Sequence, residues 1–493
     1  MAAVRVLIFH GWLLRGTGSN VYNASLARAL AEFGHEVHLV CQDRRPPDLG
    51  PVRIHNPDIG GLLPVFVRDT YEGFEVKTFG ELTAVELKRY IELNVRAVRG
   101  LVDGLGGFDA ALANHLVMAP VILARAGLRF AIKVHGSDLS YTVLPEPDRF
   151  VPYVREGVAG ANGILVGSGH ILERLREAVD EPEINAKVRL GPPGVDTDLF
   201  APIRSEDRAE RLHAAARELR AAGGDAPAAG SVWDRDVASA ADALTWFAEA
   251  PGARAIFVGK LIVAKGIDLL LAAWPLVHRA HPGARLLLVG FGAAEPVLRR
   301  VWEALEAGDV APLRELAERG RALEGGEEGS LPMLAAFLDA VPDGYVEAAR
   351  AASESVRFAG RLEHEEVAAP VAASDSLVFP STFPEAFGMV AAEAAAAGVL
   401  PISAAHSGAA EVSRALAAEL PDQARALLSF ELDSDAVDAI ATRLEGWFGL
   451  DRPERERIGA SLRDSVERLW SWRSVADTVL AASAGELAGL RRP

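Results

Sequence analysis

At 493 residues the chain is too long for one hydrophobic core, so two or three domains are expected. It carries 51 basic and 68 acidic side chains, a formal charge of −17, which argues against a non-specific nucleic-acid binder because a phosphate backbone demands a basic face. Half the residues are apolar and 24% are charged, as in soluble globular proteins, and the single cysteine, Cys41, excludes an intrachain disulfide and fits a reducing cytoplasm.

The chain opens with a buried strand, Val4 to Phe9, and a glycine-rich turn containing Gly11, Gly16 and Gly18. An amphipathic helix follows from about Asn20 to Phe33, Gly34 stops it, and Glu36 to Cys41 reads as the next strand. Strand, loop, helix and strand in that order predict a parallel sheet covered by helices. The unit recurs at Ala110 to Ala113, at Ala131 to Val134 ending in His135, and at Gly163 to Val166 ending in Ser168. Two prolines and two glycines within Leu190 to Phe200 then break regular structure and mark a hinge or domain boundary. The rhythm restarts with strands at Ala255 to Val258, Arg285 to Val289, Val356 to Phe358, Ser376 to Phe379 and Val399 to Ser403. Two stretches, near 205–250 and 292–352, are rich in Ala, Glu, Arg and Gly and read as helical insertions.

Four segments carry chemistry. In Phe383-Pro-Glu-Ala-Phe-Gly-Met-Val-Ala-Ala-Glu393, a strand gives way to a helix expected to begin near Phe387, with Glu385 on the loop and Glu393 about two turns into the helix. The amides of Phe387, Gly388 and Met389 should point outward at the helix start, where anionic or hydroxyl-rich groups bind. The alanines around Glu393 place that carboxylate in a buried helix, where it requires a partner. In Phe257 to Asp268, Lys260 and Lys265 stand on the loop after a strand, a plausible diphosphate clamp. Gly16-Thr-Gly-Ser-Asn20 follows the first strand, where open α/β sheets bind ligands, but no G-x-G-x-x-G supports a dinucleotide cofactor. In Lys133-Val-His-Gly-Ser-Asp-Leu139, His135 ends an apolar strand at the same edge, with Asp138 placed to orient it or to meet an acceptor.

The pattern E-x-F-G-x-x-x-x-E at Glu385 to Glu393 resembles the signature of retaining, family-4-like glycosyltransferases of the GT-B fold. The other segments fall in that family's order from Val4 to about Leu480. The resemblance implies an α/β fold of two Rossmann-like domains facing across a cleft, with helical insertions in the second. The expected boundaries are 1–195 for an acceptor-binding domain and 196–470 for a nucleotide-sugar-binding domain. Residues 471–493, after Trp470-Ser-Trp-Arg-Ser-Val475, would form a last helix crossing back to the first domain.

The resemblance also assigns roles. Glu385 with the Phe387, Gly388 and Met389 amides holds donor-sugar hydroxyls, Glu393 holds the ribose, and Lys260 and Lys265 hold the diphosphate. Gly18 lets the backbone meet the donor phosphate, Ser19, Asn20 and Asp138 lie on the acceptor side, and His135 contacts the donor sugar. His135, Glu385 and Lys265 are the expected catalytic residues. Asp196-Thr-Asp198 matches a metal-binding D-x-D but lies in the hinge, so no metal and no cofactor are expected. After the Leu286 to Val289 strand the chain departs from the family's G-x-G-P with Gly290-Phe-Gly-Ala-Ala-Glu, a loop that often touches the nucleotide.

The expected reaction is metal-independent hexosyl transfer from a nucleoside-diphosphate sugar to an acceptor hydroxyl, with retention. The acceptor is a glycan, a lipid-linked sugar or a small molecule. The alternatives are a nucleotide-sugar epimerase of the same fold and a non-catalytic GT-B interaction protein. The first ten residues lack the charge and apolar pattern of a signal peptide, and no apolar run approaches the roughly 18 residues of a membrane span. The expected location is cytoplasmic, with peripheral contact at the inner membrane face left open.

Overall fold

A computed structural model of the chain describes residues 3–14, 18–66, 71, 73–179, 181–222 and 235–493. Contacts divide it into two units, residues 1–194 with 470–493, and residues 195–469. Gly16 and Thr17 of the glycine turn and the middle of the first insertion lie outside the described residues.

The first unit contains β1 (Arg5–Phe9), β2 (Glu36–Val40), β3 (Arg53–His55), β4 (Leu62–Val65), β5 (Glu75–Thr78), β6 (Ala110–Asn114), β7 (Phe130–Val134), β8 (Ala161–Val166) and β9 (Val188–Leu190). Seven of these make one sheet in the order β3-β2-β1-β6-β7-β8-β9, parallel throughout, while β4 and β5 pair separately. β6 and β7 are buried at every residue, which is why they read as continuous apolar runs rather than alternating ones. The helix Gly18–Glu32 covers one face through Leu26, Ala27 and Leu30. The last helix, Trp472–Ala484, joins the same core through Val475, Val479 and Leu480, and its Ser483 hydroxyl donates to the Ala111 carbonyl at 2.9 Å.

The second unit contains β10 (Arg254–Val258), β11 (Arg285–Val289), β12 (Val356–Gly360), β13 (Ser376–Phe379), β14 (Leu400–Ala404) and β15 (Ser429–Phe430). Their order, β12-β11-β10-β13-β14-β15, is that of a doubly wound dinucleotide-type sheet, and every pair is parallel. The described parts of the two insertions are helical. Arg208–Ala222 and Val237–Ala248 precede β10, and Glu295–Ala307, Ala311–Arg319, Pro332–Asp339 and Tyr345–Ala351 lie between β11 and β12.

The helix expected to begin near Phe387 spans Met389–Ala396 instead. Gly388 precedes it at φ +119°, a backbone conformation that no helix interior accepts and that glycine alone adopts without strain. Glu393 is consequently the fifth helical residue, about one turn in rather than two.

Candidate functional site

In both sheets the strand order reverses beside the first strand, between β1 and β6 and between β10 and β13. Loops leaving the carboxyl ends of those strands part in opposite directions, and the crevice between them is where open α/β sheets bind ligands. The sequence segments singled out for chemistry leave the sheets near these two places.

In the second unit, the loop after β10 ends in a tight turn, Val263–Lys265, and the loop after β13 folds onto it. The amides of Thr382 and Phe383 both donate to the Ala264 carbonyl, at 3.0 and 3.2 Å. Lys265 Nζ pairs with Glu385 Oε1 and lies 5.7 Å from the centre of the Phe379 ring. The Ser381 hydroxyl donates to the same Glu385 oxygen at 2.6 Å. The Glu385 amide donates to Ser407 Oγ at 2.9 Å, and the Gly408 amide donates back to the Glu385 carbonyl at 2.9 Å. Gly408 packs so closely that a Cβ there would sit 2.6 Å from the Phe387 nitrogen, so this position has no room for a side chain. Three loops therefore hold one lysine–carboxylate pair, whose side chains are 24% and 19% exposed. Lys260 stands exposed earlier in the β10 loop.

Glu393 is buried, as its alanine-rich surroundings foretold, and its partner is His364, the first residue of the helix His364–Ala372 after β12. His364 Nε2 donates to Glu393 Oε1 at 2.9 Å, and the imidazole leans on the Phe200 ring, 5.3 Å between centres. Burial, the largest single influence, works against a charged imidazole. The Glu393 hydrogen bond and the negative charges of Glu393, Glu365 and Asp196 outweigh it, so the His364 pKa is raised. His364 has little local signal in the sequence, a histidine just beyond the carboxyl end of a strand.

A further unexpected contact comes from the second insertion. Glu324 Oε2 accepts the Val263 amide at 2.8 Å, pinning the turn that presents Lys265. Nothing local to Glu324 announces this.

The first unit assembles a neutral hydrogen-bonded chain at the ends of β1, β6 and β7. His135 Nε2 donates to Asn114 Oδ1 at 2.6 Å, and Asn114 Nδ2 donates to His10 Nδ1 at 2.7 Å. His10 Nε2 in turn donates to Leu13 O at 2.7 Å and Asn20 Oδ1 at 2.9 Å. Burial, with His115 adding to it, pushes His10 down to about 3. Burial, then His115, Lys133 and His10, hold His135 well below the ordinary histidine value. Both rings are neutral at physiological pH, and because His135 Nε2 keeps its proton to donate to Asn114 Oδ1, its Nδ1 carries the lone pair.

The expectation that Asp138 orients His135 is corrected: Asn114 does so. Asp138 is fully buried, and its carboxylate accepts the amides of Leu116 at 2.6 Å, Gly136 at 3.0 Å and Leu139 at 3.0 Å. Its ring neighbour is His115, 3.6 Å away, which adopts φ +68° at the end of β6. Gly18 and Ser19 open the helix Gly18–Glu32, and Asn20 is tied to His135 through His10 and Asn114. In the segment that follows the division between the units, Asp196 Oδ1 accepts the amides of Asp198 at 3.2 Å and Leu199 at 2.9 Å, the bonding of a turn-forming aspartate.

Comparison with known proteins points to a family for the chain. The Glycosyltransferase Family 4 profile matches residues 16–199, and the Glycosyl transferases group 1 profile matches residues 347–461. A GDP-mannose-dependent monoacylated alpha-(1-6)-phosphatidylinositol monomannoside mannosyltransferase from Corynebacterium glutamicum is 29% identical over 225 residues, covering 44% of this chain and 43% of that protein. The chain thus spans less than half the length of that curated relative. Sucrose-phosphate synthase from Thermosynechococcus elongatus superposes with a TM-score of 0.57 at 18% identity, over 96% of each chain. Anabaena HepE, solved with UDP and glucose, gives 0.56 at 14% identity over 99% of this chain and 100% of that one. At such identities these two likenesses show the fold. With two family profiles matched in chain order and both doubly wound sheets in place, the chain belongs to the family-4-like glycosyltransferases of the GT-B fold.

Proposed function

We propose that the protein transfers a hexosyl group from a nucleoside-diphosphate sugar to an acceptor hydroxyl, with retention at the anomeric carbon and without a metal ion. The observation that carries this reading is the Lys265–Glu385 pair at the β10/β13 crevice, with Ser381 on the same carboxylate and Gly388 opening the following helix. In this reading Lys265, with Lys260, neutralises the diphosphate. Glu385 and the amides around Gly388 hold the sugar hydroxyls, and Glu393, steadied by His364, holds the ribose.

Positive charge at the leaving group is the main source of rate in such a reaction. The anomeric carbon–oxygen bond breaks toward the diphosphate as the acceptor oxygen attacks from the same face, and the acceptor proton passes to the departing phosphate oxygen. His135, neutral and with Nδ1 free of its proton, accepts a hydrogen bond from a sugar hydroxyl and is no proton donor. Gly18, Ser19 and Asn20 serve the donor phosphate and the acceptor. The acceptor is a glycan, a lipid-linked sugar or a small molecule. Among the described residues no helix is long and apolar enough to cross a membrane.

The test is nucleotide release over UDP-, GDP-, ADP- and dTDP-sugars with EDTA present, comparing the native chain with Lys265→Ala and Glu385→Ala. Release with one donor, reduced at least about 100-fold in both variants, is expected. No release and no donor-induced stabilisation with any of the four would overturn the donor assignment, and an EDTA-sensitive rate would overturn metal independence.

A further inference from the structure

The amino-terminal ends of β10, β11, β13 and β14 face away from the donor crevice, and there the second unit holds a cavity of about 960 Å³. With four or five residues per strand at roughly 3.3 Å each, it lies on the order of 13 to 16 Å from the loops that carry Lys265 and Glu385. Its wall includes the starts of β10 at Arg254 and β13 at Asp375, Pro202 to Arg208 of the linker, and the helix Arg452–Trp470. Six arginines line it against four carboxylates, a local excess of positive charge in a chain whose total is −17.

The deepest part of that charge is unbalanced. Asp375 Oδ1 accepts from both Arg208 Nη1 at 2.8 Å and Arg455 Nη1 at 3.1 Å, while Oδ2 accepts the Arg254 amide at 2.9 Å. One carboxylate thus serves two guanidinium groups. The Nε atoms of Arg208 and Arg455 are buried and have no hydrogen-bond partner among the described residues. The two side chains keep 17% and 24% of their surface exposed, one carboxylate leaves them a net positive charge that an oxyanion would offset, and a fork of two arginines fits phosphate oxygens best. Trp447 and Phe448 add an apolar wall, and the volume is at the upper end for small-molecule sites.

We propose that this cavity is a second ligand site, which binds the phosphate of a phosphorylated small metabolite between Arg208 and Arg455. It is separate from the donor site and does not depend on the donor assignment. The helix Met389–Ala396 spans the two places, since Gly388 opens it at the donor loop and Ala397 and Gly398 line the cavity at its other end.

The experiment is calorimetric titration and thermal denaturation of the full chain with inorganic phosphate, glucose 6-phosphate and, as a neutral control, glucose, at fixed ionic strength. Saturable binding of the phosphate compounds is expected in the native chain and in Lys265→Ala. Binding should be at least about tenfold weaker in Arg455→Gln, the loss of one charged hydrogen bond. Arg452→Glu, at the exposed rim, reverses a charge without touching the buried fork and should also weaken binding, which keeps the test decisive where Arg455→Gln fails to fold. Equal affinity for the two compounds identifies a phosphate subsite alone, and tighter glucose 6-phosphate binding identifies a sugar-phosphate site. The proposal is overturned by an absence of saturable binding, or by binding that Lys265→Ala abolishes while Arg455→Gln and Arg452→Glu retain it.

Discussion

Replacing His364 with leucine isolates the contribution of a partner to a buried carboxylate. Glu393 has 8% of its side chain exposed, and the His364 bond at 2.9 Å is its one charge-bearing contact among the described residues. Leucine leaves the carboxylate buried without a donor, which costs about 2–3 kcal/mol for a charged hydrogen bond. For a unit of this size that is a fall in melting temperature on the order of 5 °C. Glutamine, which still offers an N–H, should restore most of the loss.

The effect should also depend on pH. The His364 pKa is raised in the folded state, so its stabilising contribution is complete below the ordinary histidine value near 6.5 and disappears as pH rises through the raised value. The gap between wild type and His364→Leu should therefore be widest in mild acid and narrow toward alkaline pH. Thermal denaturation at a series of pH values, with donor affinity measured on the same samples, reads both effects. A leucine variant that melts with the glutamine variant at every pH would refute the argument that His364 sustains the Glu393 carboxylate.

Three other outcomes follow from the same contacts. Glu324→Ala removes the acceptor for the Val263 amide, and donor affinity should fall about tenfold in a titration while acceptor affinity is unchanged. Asn114→Ala frees His135 Nε2 and leaves His10 held only through its own Nε2, and turnover should drop more than donor affinity does, because the His135 tautomer is no longer fixed. Lys133, buried with its Nζ donating to the Gly191 carbonyl at 2.6 Å, is pushed down to about 7 by burial. The unfolded chain binds the extra proton between pH 7 and the ordinary lysine value near 10.4, so wild-type stability should climb across that window. Lys133→Met should melt higher than wild type near pH 7, with the advantage shrinking toward pH 10.

Features that depend on local pattern are legible in the amino-acid order alone. Apolar runs such as Val6 to Phe9 and Leu286 to Val289 mark buried parallel strands, because a strand covered on both faces has no polar side to alternate. The E-x-F-G-x-x-x-x-E segment was legible for the same reason: a loop carboxylate, a glycine and a buried helical carboxylate are constraints within ten residues. Short strands such as β3 and β15, two or three residues long, carried too little pattern to be seen.

Which groups answer those carboxylates is set by the folded arrangement. Glu393 meets His364 from 29 residues away, Glu385 meets Lys265 from 120, and the Val263 amide meets Glu324 from 61. Asn114 became the link between His10 and His135 only because β6 lies between β1 and β7 in the sheet. The arginine fork around Asp375 gathers Arg208, Arg254, Asp375 and Arg455 from four separate segments at one end of a sheet. Such pairings are set by strand order and loop closure, and hydrophobic period, which acts over a few residues, carries no information about them.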